Sequence, residues 1–203
     1  MTAMLLDALL PTRCSLCGRP GSVPCGACRP TVPLVRWVGA PGGVTTLTAV
    51  LAYEGPTRTL LAALKYRGAT AVVQWLALIM AEAAGAVAPP PVWITWAPTS
   101  RIRRTVRGFD QAELLAHEVG VHLQLPVEAS LTRLGSQHQT GRSRSQRLHP
   151  GDLFQPMPHV PHQGPVLLVD DVCTTGATIS AAAWALRVAG VSVVHALVAA
   201  RTP

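Results

Sequence analysis

The segment Val166-Leu-Leu-Val-Asp-Asp-Val-Cys-Thr-Thr-Gly-Ala-Thr178 constrains the fold of this chain more than any other. Four apolar residues, Val166 to Val169, read as a buried strand that delivers two adjacent carboxylates, Asp170 and Asp171. A Thr/Gly turn follows, and Ile179 to Ala189 reads as a helix stopped by Gly190. A buried strand that turns directly into a helix belongs to a parallel sheet with helical crossovers. The junction also has a chemistry. A helix N-terminus offers unpaired N–H groups and partial positive charge to an anion. Thr174, Thr175 and Thr178 add hydroxyls, and Gly176 lets backbone approach a ligand without a Cβ in the way. Carboxylates accept hydrogen bonds from a diol, so the segment suits a sugar phosphate with room for Mg2+ nearby. An ordinary polar loop between strand and helix is the competing reading.

The rest of the chain fits the same α/β pattern. Thr46 to Tyr53 reads as a strand, with Pro56 opening a helix that runs to about Tyr66 and Arg67-Gly68 breaking it. Ala69 to Ala84 is amphipathic, with apolar residues at helical spacing. Val92 to Trp96 is a strand, Phe109 to Leu123 a helix, Val127 to Leu131 a strand, and Val191 to Ala199 a final strand. Alternating strands and helices predict a parallel sheet covered on both faces by right-handed crossovers. Ligands of such sheets bind at the carboxyl ends of the strands, where Asp170 and Asp171 fall.

A smaller unit precedes this domain. Residues 1–40 hold a short apolar helix, Thr2 to Leu10, and the pairs Cys14-x-x-Cys17 and Cys25-x-x-Cys28; Ala40-Pro-Gly-Gly43 reads as a linker to a domain over 44–203. Four thiolates at this spacing, among turn residues, suit one tetrahedral Zn2+. Two disulfides are the alternative, but Met1 to Leu10 lacks the basic start of a secretory signal and carries Asp7. No stretch reads as a membrane span, because Gln74, Glu82 and Pro89-Pro90-Pro91 interrupt the longest apolar run. A cytoplasmic, reducing setting is expected. Cys173, in the phosphate loop, reads as a small packing residue.

With 17 Lys and Arg against 10 Asp and Glu, the net charge of +7 implies anionic partners. Pro98-Thr-Ser-Arg-Ile-Arg-Arg-Thr-Val-Arg-Gly-Phe-Asp-Gln111 places Arg101, Arg103, Arg104 and Arg107 in a loop after a strand. Guanidinium forks there can clamp pyrophosphate. Arg133-Leu-Gly-Ser-Gln-His-Gln-Thr-Gly-Arg-Ser-Arg-Ser-Gln-Arg147 is a basic Gly/Ser-rich loop able to close over a ligand. A solvated surface is the plain alternative for both. The chain has one lysine, Lys65, outside the phosphate loop, so this is neither a Walker A loop nor a dinucleotide fingerprint.

The Asp-Asp-Val-Cys-Thr-Thr-Gly-Ala-Thr run resembles the 5-phosphoribosyl-1-pyrophosphate (PRPP) signature of type I phosphoribosyltransferases. The four cysteines, Tyr53-Glu-Gly…Leu-Lys-Tyr-Arg-Gly68, Arg107-Gly-Phe-Asp-Gln111, the basic loop and this signature follow one another in the order of the ComF family. The chain resembles that family over nearly its full length. Asp110 stands where the family usually has Asn, and His149 where it tends to have Asn.

The resemblance implies a type I phosphoribosyltransferase-like fold with an N-terminal zinc knuckle. It implies PRPP contacts from Thr99, Ser100, Arg101, Arg104, Asp170, Asp171 and Thr174 to Thr178, and catalytic roles for Asp170, Asp171 and Arg107. A flexible loop would carry Arg133, Gln139, Arg144 and Arg147. Structural Zn2+, Mg2+ with PRPP, single-stranded DNA and other competence proteins are the implied cofactors and partners, in natural competence. Two readings stay open: an active phosphoribosyltransferase, or a binding factor that retains the pocket. The acceptor is unreadable, and His117 and His122 read as surface or packing residues rather than as a general base.

Overall fold

A computed structural model describes residues 12–64, 70–134, 153–160 and 164–203. The expected N-terminal helix, Tyr66 to Gly68, and Gln139, Arg144, Arg147 and His149 lie outside the described residues. Strands β1 (Leu34–Gly39), β2 (Thr46–Ala52), β3 (Trp93–Trp96), β6 (Val166–Cys173) and β7 (Val194–Arg201) form one sheet in the order β1-β2-β7-β6-β3. β2, β7, β6 and β3 are mutually parallel, and β1 adds an antiparallel edge. Helices α1 (Gly55–Ala63), α2 (Thr70–Ala84), α3 (Arg101–Arg107), α4 (Gln111–Leu123) and α5 (Ala177–Val188) connect them. β4 (Leu131–Arg133) pairs antiparallel with β5 (Phe154–Pro156) in a separate ribbon. No helix of the described residues is long and apolar enough to cross a membrane.

The parallel strands are apolar on both faces, as helix-covered strands must be. Along β6, Leu167 and Val169 join a core beneath α1, α2 and α4, with Leu60, Leu76, Met80 and Leu115. Val166 and Leu168 join a second core with Ile179 and Leu186 of α5 and Phe154 of the ribbon. β7 alternates in the same way, with Leu197 in the first core and Ala196 and Val198 in the second. The expected α/β architecture is therefore present, with helices on both faces.

Four local expectations need correction. β6 runs on through both acids to Cys173, held by its pairing with β7, so Asp170 and Asp171 belong to the strand itself. The arginine segment is not a loop but helix α3, with Ser100 as N-cap and left-handed Gly108 as its stop. Val127 makes only an isolated parallel bridge to Ile94, and the strand begins later, at Leu131. Leu34–Gly39, which precedes the expected linker, is a strand of the main sheet. There Arg201 stacks on the Trp37 ring at 3.8 Å.

One buried group links the sheet to pH. His195 on β7 is fully buried, and its Nε2 donates to the Pro89 carbonyl at 2.9 Å. Nδ1 has no partner, so a second proton there would be buried without an acceptor. Burial pushes the imidazole pKa below its ordinary 6.5. A depressed folded-state pKa means that the unfolded chain takes up the proton more readily. This contribution to stability is full above about pH 6.5 and declines below it. Urea unfolding between about pH 7.5 and about pH 5 should therefore show a shallower loss of stability in His195→Gln than in wild type. Identical slopes would remove His195 from the account.

Candidate functional site

The carboxyl ends of β2, β3 and β6 open onto one cavity of about 400 Å3. Tyr53 and Leu61 enter from β2 and α1, Thr99, Arg103 and Arg107 from the end of β3 and α3, and Asp110 to Ala112 from the start of α4. Arg133 comes from β4, and Asp170, Asp171, Val172, Thr174 and Thr178 from β6 and α5. Of the residues singled out in the sequence, Thr99, Arg107, Arg133, Asp170, Asp171, Thr174 and Thr178 meet there. Ser100, Arg101, Arg104, Thr175, Gly176 and Ala177 do not line it. Ser100 caps α3, its side chain accepting from the Arg103 N–H, and Arg104 pairs with Glu113 at 3.2 Å. Thr175 Oγ1 accepts from the Ala177 N–H at 3.4 Å.

β6 holds its two acids in adjacent positions by local bonds. The Asp171 N–H donates to Asp170 Oδ1 at 2.8 Å, and the Val172 N–H donates to Asp171 Oδ1 at 2.7 Å. Asp170 is only 8% exposed. Burial, reinforced by the Asp171 charge, holds its pKa well above the ordinary carboxylate range. Two carboxylates side by side in a buried setting favour any ligand that brings hydroxyl donors or a cation. Across the cavity, burial depresses the Arg133 guanidinium pKa, and the Asp170 charge opposes that shift. Arg133 also lies over the Phe154 ring at 5.3 Å.

The turn from β6 into α5 leaves most of its backbone donors without a side-chain partner. Gly176 adopts φ 79° as the residue before α5, a conformation that favours glycine, and has no side chain of its own to cap that helix. Beyond Ala177, whose N–H goes to Thr175, the N–H groups of the first turn of α5 have no side-chain acceptor and remain available to an anion. Cys173 is buried in the second core, and burial raises its thiol pKa, in keeping with a packing role.

Asp110 ties the loop after β3 to the start of α4. It is 2% exposed and caps α4, with Oδ1 accepting from the Ala112 N–H at 3.1 Å and Oδ2 from the Thr99 N–H at 2.7 Å. Burial raises its pKa, and these N–H groups pull it back down. The carboxylate thus staples the loop after β3 to α4. Two acceptor oxygens match two backbone donors, whereas an Asn amide can match only one with oxygen. Asp110→Asn should cost about 1–2 kcal/mol in urea unfolding, and Asp110→Ala more. Equal stability of all three proteins would rule out the staple.

Tyr53, Leu61 and Gln111 line this cavity from within motifs noted in the sequence but given no site role there, and Arg103 was left undistinguished among its neighbours. The i, i+4 spacing of Arg103 and Arg107 was a usable signal once a helix was assumed. His117 and His122 are exposed on α4, as expected.

The cysteines form a second candidate site. The four sulfurs of Cys14, Cys17, Cys25 and Cys28 lie within 4.8 Å of one another. A tetrahedral zinc with bonds of ~2.3 Å needs sulfurs ~3.8 Å apart, so the set fits a closed metal site. Burial disfavours the Cys14 thiolate, but the N–H groups of Cys25, Leu16 and Cys17 outweigh it and bring the thiol to about 6. The sulfurs of Cys17 and Cys25 push Cys28 up to about 12. Four such sulfurs ionise together only beside a cation.

The chain is 28% identical over 174 residues to competence protein ComFC of Bacillus subtilis (strain 168), spanning 85% of this chain and 70% of that protein. The resemblance to the ComF family holds. No protein-family model matches the chain. Among solved structures, adenine phosphoribosyltransferase from Leishmania tarentolae is similar at 14% identity with a TM-score of 0.42, covering 79% of this chain and 78% of that one.

Proposed function

We propose that the cavity binds PRPP with Mg2+ and that the chain acts as a ComF-type phosphoribosyltransferase-like protein in natural competence. One observation carries this reading. Adjacent carboxylates from β6 and threonines from the turn into α5 share a single cavity with Arg103, Arg107 and Arg133. Asp170 and Asp171 accept from the ribose hydroxyls, while Thr174, Thr178 and the uncapped N–H groups of α5 hold the 5′-phosphate. Thr99, Arg103 and Arg107 hold the pyrophosphate. This assignment gives Arg103 the contact that the motif alone gave to Arg101 and Arg104.

The acids at the cavity are hard oxygen donors, the kind Mg2+ prefers, and the bound ion would neutralise charge on pyrophosphate. In transfer, positive charge grows on the sugar ring and negative charge on the leaving group. The carboxylates fix the ring and the arginines meet the leaving group. The four-cysteine unit would hold structural Zn2+, in a cytoplasmic setting that keeps thiols reduced.

Ligand that binds only the folded state raises its stability, by about 2.7 kcal/mol at 100 times Kd. PRPP with Mg2+ should therefore raise the melting temperature clearly, and ribose without phosphate should not. Equal melting temperatures with and without PRPP would count against the pocket. The second reading, a nucleotide- and single-stranded-DNA-binding factor without turnover, draws on the exposed arginines Arg101, Arg103 and Arg104 of α3. DNA affinity that falls steeply with salt, with no pyrophosphate released across a screen of bases and amines, would favour it.

A further inference from the structure

Gln111 is nine-tenths buried at the start of α4, yet it lines the cavity. Arg107 Nη1 donates to its Oε1 at 2.9 Å. A guanidinium has only donors, so this bond fixes which end of the amide is oxygen and which is nitrogen. Nε2 is left buried without any hydrogen-bond partner. Other side chains among the described residues also have buried, unpartnered nitrogens or oxygens, namely Thr57, Trp93, Thr95, Trp96 and His195. None of these lines the cavity. The one cavity residue with an orphaned donor is thus also the residue that holds an arginine of the proposed anion site.

The corner around it is fixed. Gly108 ends α3 in the left-handed conformation at φ 80°, and Asp110 caps α4. Arg107 and Gln111 therefore face each other across a joint with little slack, and the bond between them leaves the remaining guanidinium donors free. We propose that Gln111 is a specificity-determining residue of this pocket. It positions Arg107 through Oε1 and supplies its Nε2 amide as a donor to the diphosphate arm of the ligand, so that the pocket prefers a pyrophosphate-bearing sugar to a sugar monophosphate. This rests on the PRPP reading above and adds to it the residue that sets the preference for the second anion at the α3–α4 corner.

The test is calorimetric titration of the full chain with inorganic pyrophosphate plus Mg2+ and, separately, with ribose 5-phosphate. Gln111→Glu keeps the shape but replaces the amide donor with an acceptor that neutralises Arg107, and Gln111→Leu removes both functions. Both variants should lose at least about tenfold in pyrophosphate affinity, equivalent to ~1.4 kcal/mol, while ribose 5-phosphate binding stays within about twofold. Gln111→Glu serves alone if the Leu variant does not fold. Pyrophosphate affinity within about twofold of wild type in Gln111→Glu would overturn the inference, and so would parallel loss of both ligands. Wild type that binds ribose 5-phosphate but not pyrophosphate would overturn it while leaving the ribose-phosphate site intact. Wild type that binds neither would bring down the pocket reading itself, and the role of Gln111 with it.

Discussion

Replacing Cys14 with serine is expected to empty the four-cysteine unit of metal and to lower the stability of the whole chain, not of its N-terminal end alone. The reason lies in the packing. Val23, between Cys17 and Cys25, and Val32, just after Cys28, are buried in the same core as Leu60, Leu76 and Leu167. Leu16, inside the first Cys-x-x-Cys, packs against that core as well. The turns that carry these residues are short and their sulfurs are clustered, so a metal bound there would keep the valines in place. Loss of burial for two valines is worth about 3–6 kcal/mol. A colorimetric chelator should release one metal per chain from denatured wild type and none from Cys14→Ser. Urea unfolding should show the matching drop in midpoint. A variant with a full equivalent of metal, or an unchanged midpoint, would contradict this account of the knuckle.

The second large effect is a trade of function against stability at Asp170. Its carboxyl is buried beside Asp171, and burial together with that neighbouring charge raises its pKa. A raised folded-state pKa means that the folded chain holds the proton more tightly than the unfolded chain does. Stability from this source is full below the ordinary carboxylate pKa of about 3.9 and is lost as pH rises through the folded value. Above that pH the unliganded protein therefore loses stability through this group. Asp170→Asn keeps the oxygen that accepts from the Asp171 N–H and removes that charge. It should melt higher than wild type at about pH 7.5 by roughly 2–4 °C, the shift that about 1 kcal/mol gives in a chain of this size. The gain should shrink as pH falls toward about 4, the ordinary carboxylate range, where linkage removes this cost from wild type. A lower melting temperature for Asp170→Asn at neutral pH would show that the carboxylate is stabilised by something this account omits.

The same residues show what the sequence could disclose. Apolar runs of four or more with helices between them made the parallel sheet legible, because strands covered on both faces have to be apolar throughout. Pairs of cysteines among turn residues made the knuckle legible for an equally local reason. Strand ends were harder. Asp is a poor strand former, so β6 seemed to stop at Val169, yet pairing with β7 carries it to Cys173. β1 was hidden because Arg36 and Trp37 break any alternation, and what holds it is tertiary pairing with β2. α3 passed for a loop because its arginines leave no apolar face toward a core. Its Ser100 cap and Gly108 stop were nevertheless written in the sequence. Gln111 and Tyr53 stand in recognisable motifs, but they meet at one cavity only through the folding of separate elements, which no spacing in the chain announces.

The central claim is that Asp170 and Asp171 hold the ribose of PRPP in the cavity at the ends of β2, β3 and β6. It is tested most directly by calorimetric titration of PRPP with Mg2+ into wild type and into Asp170→Asn/Asp171→Asn. Each lost charged acceptor is worth ~1.5–3 kcal/mol. The account therefore predicts saturable one-to-one binding by wild type and at least about a hundredfold loss in the double variant, which should fold and melt no lower than wild type. Binding by the double variant at wild-type affinity, or none by wild type, would contradict it.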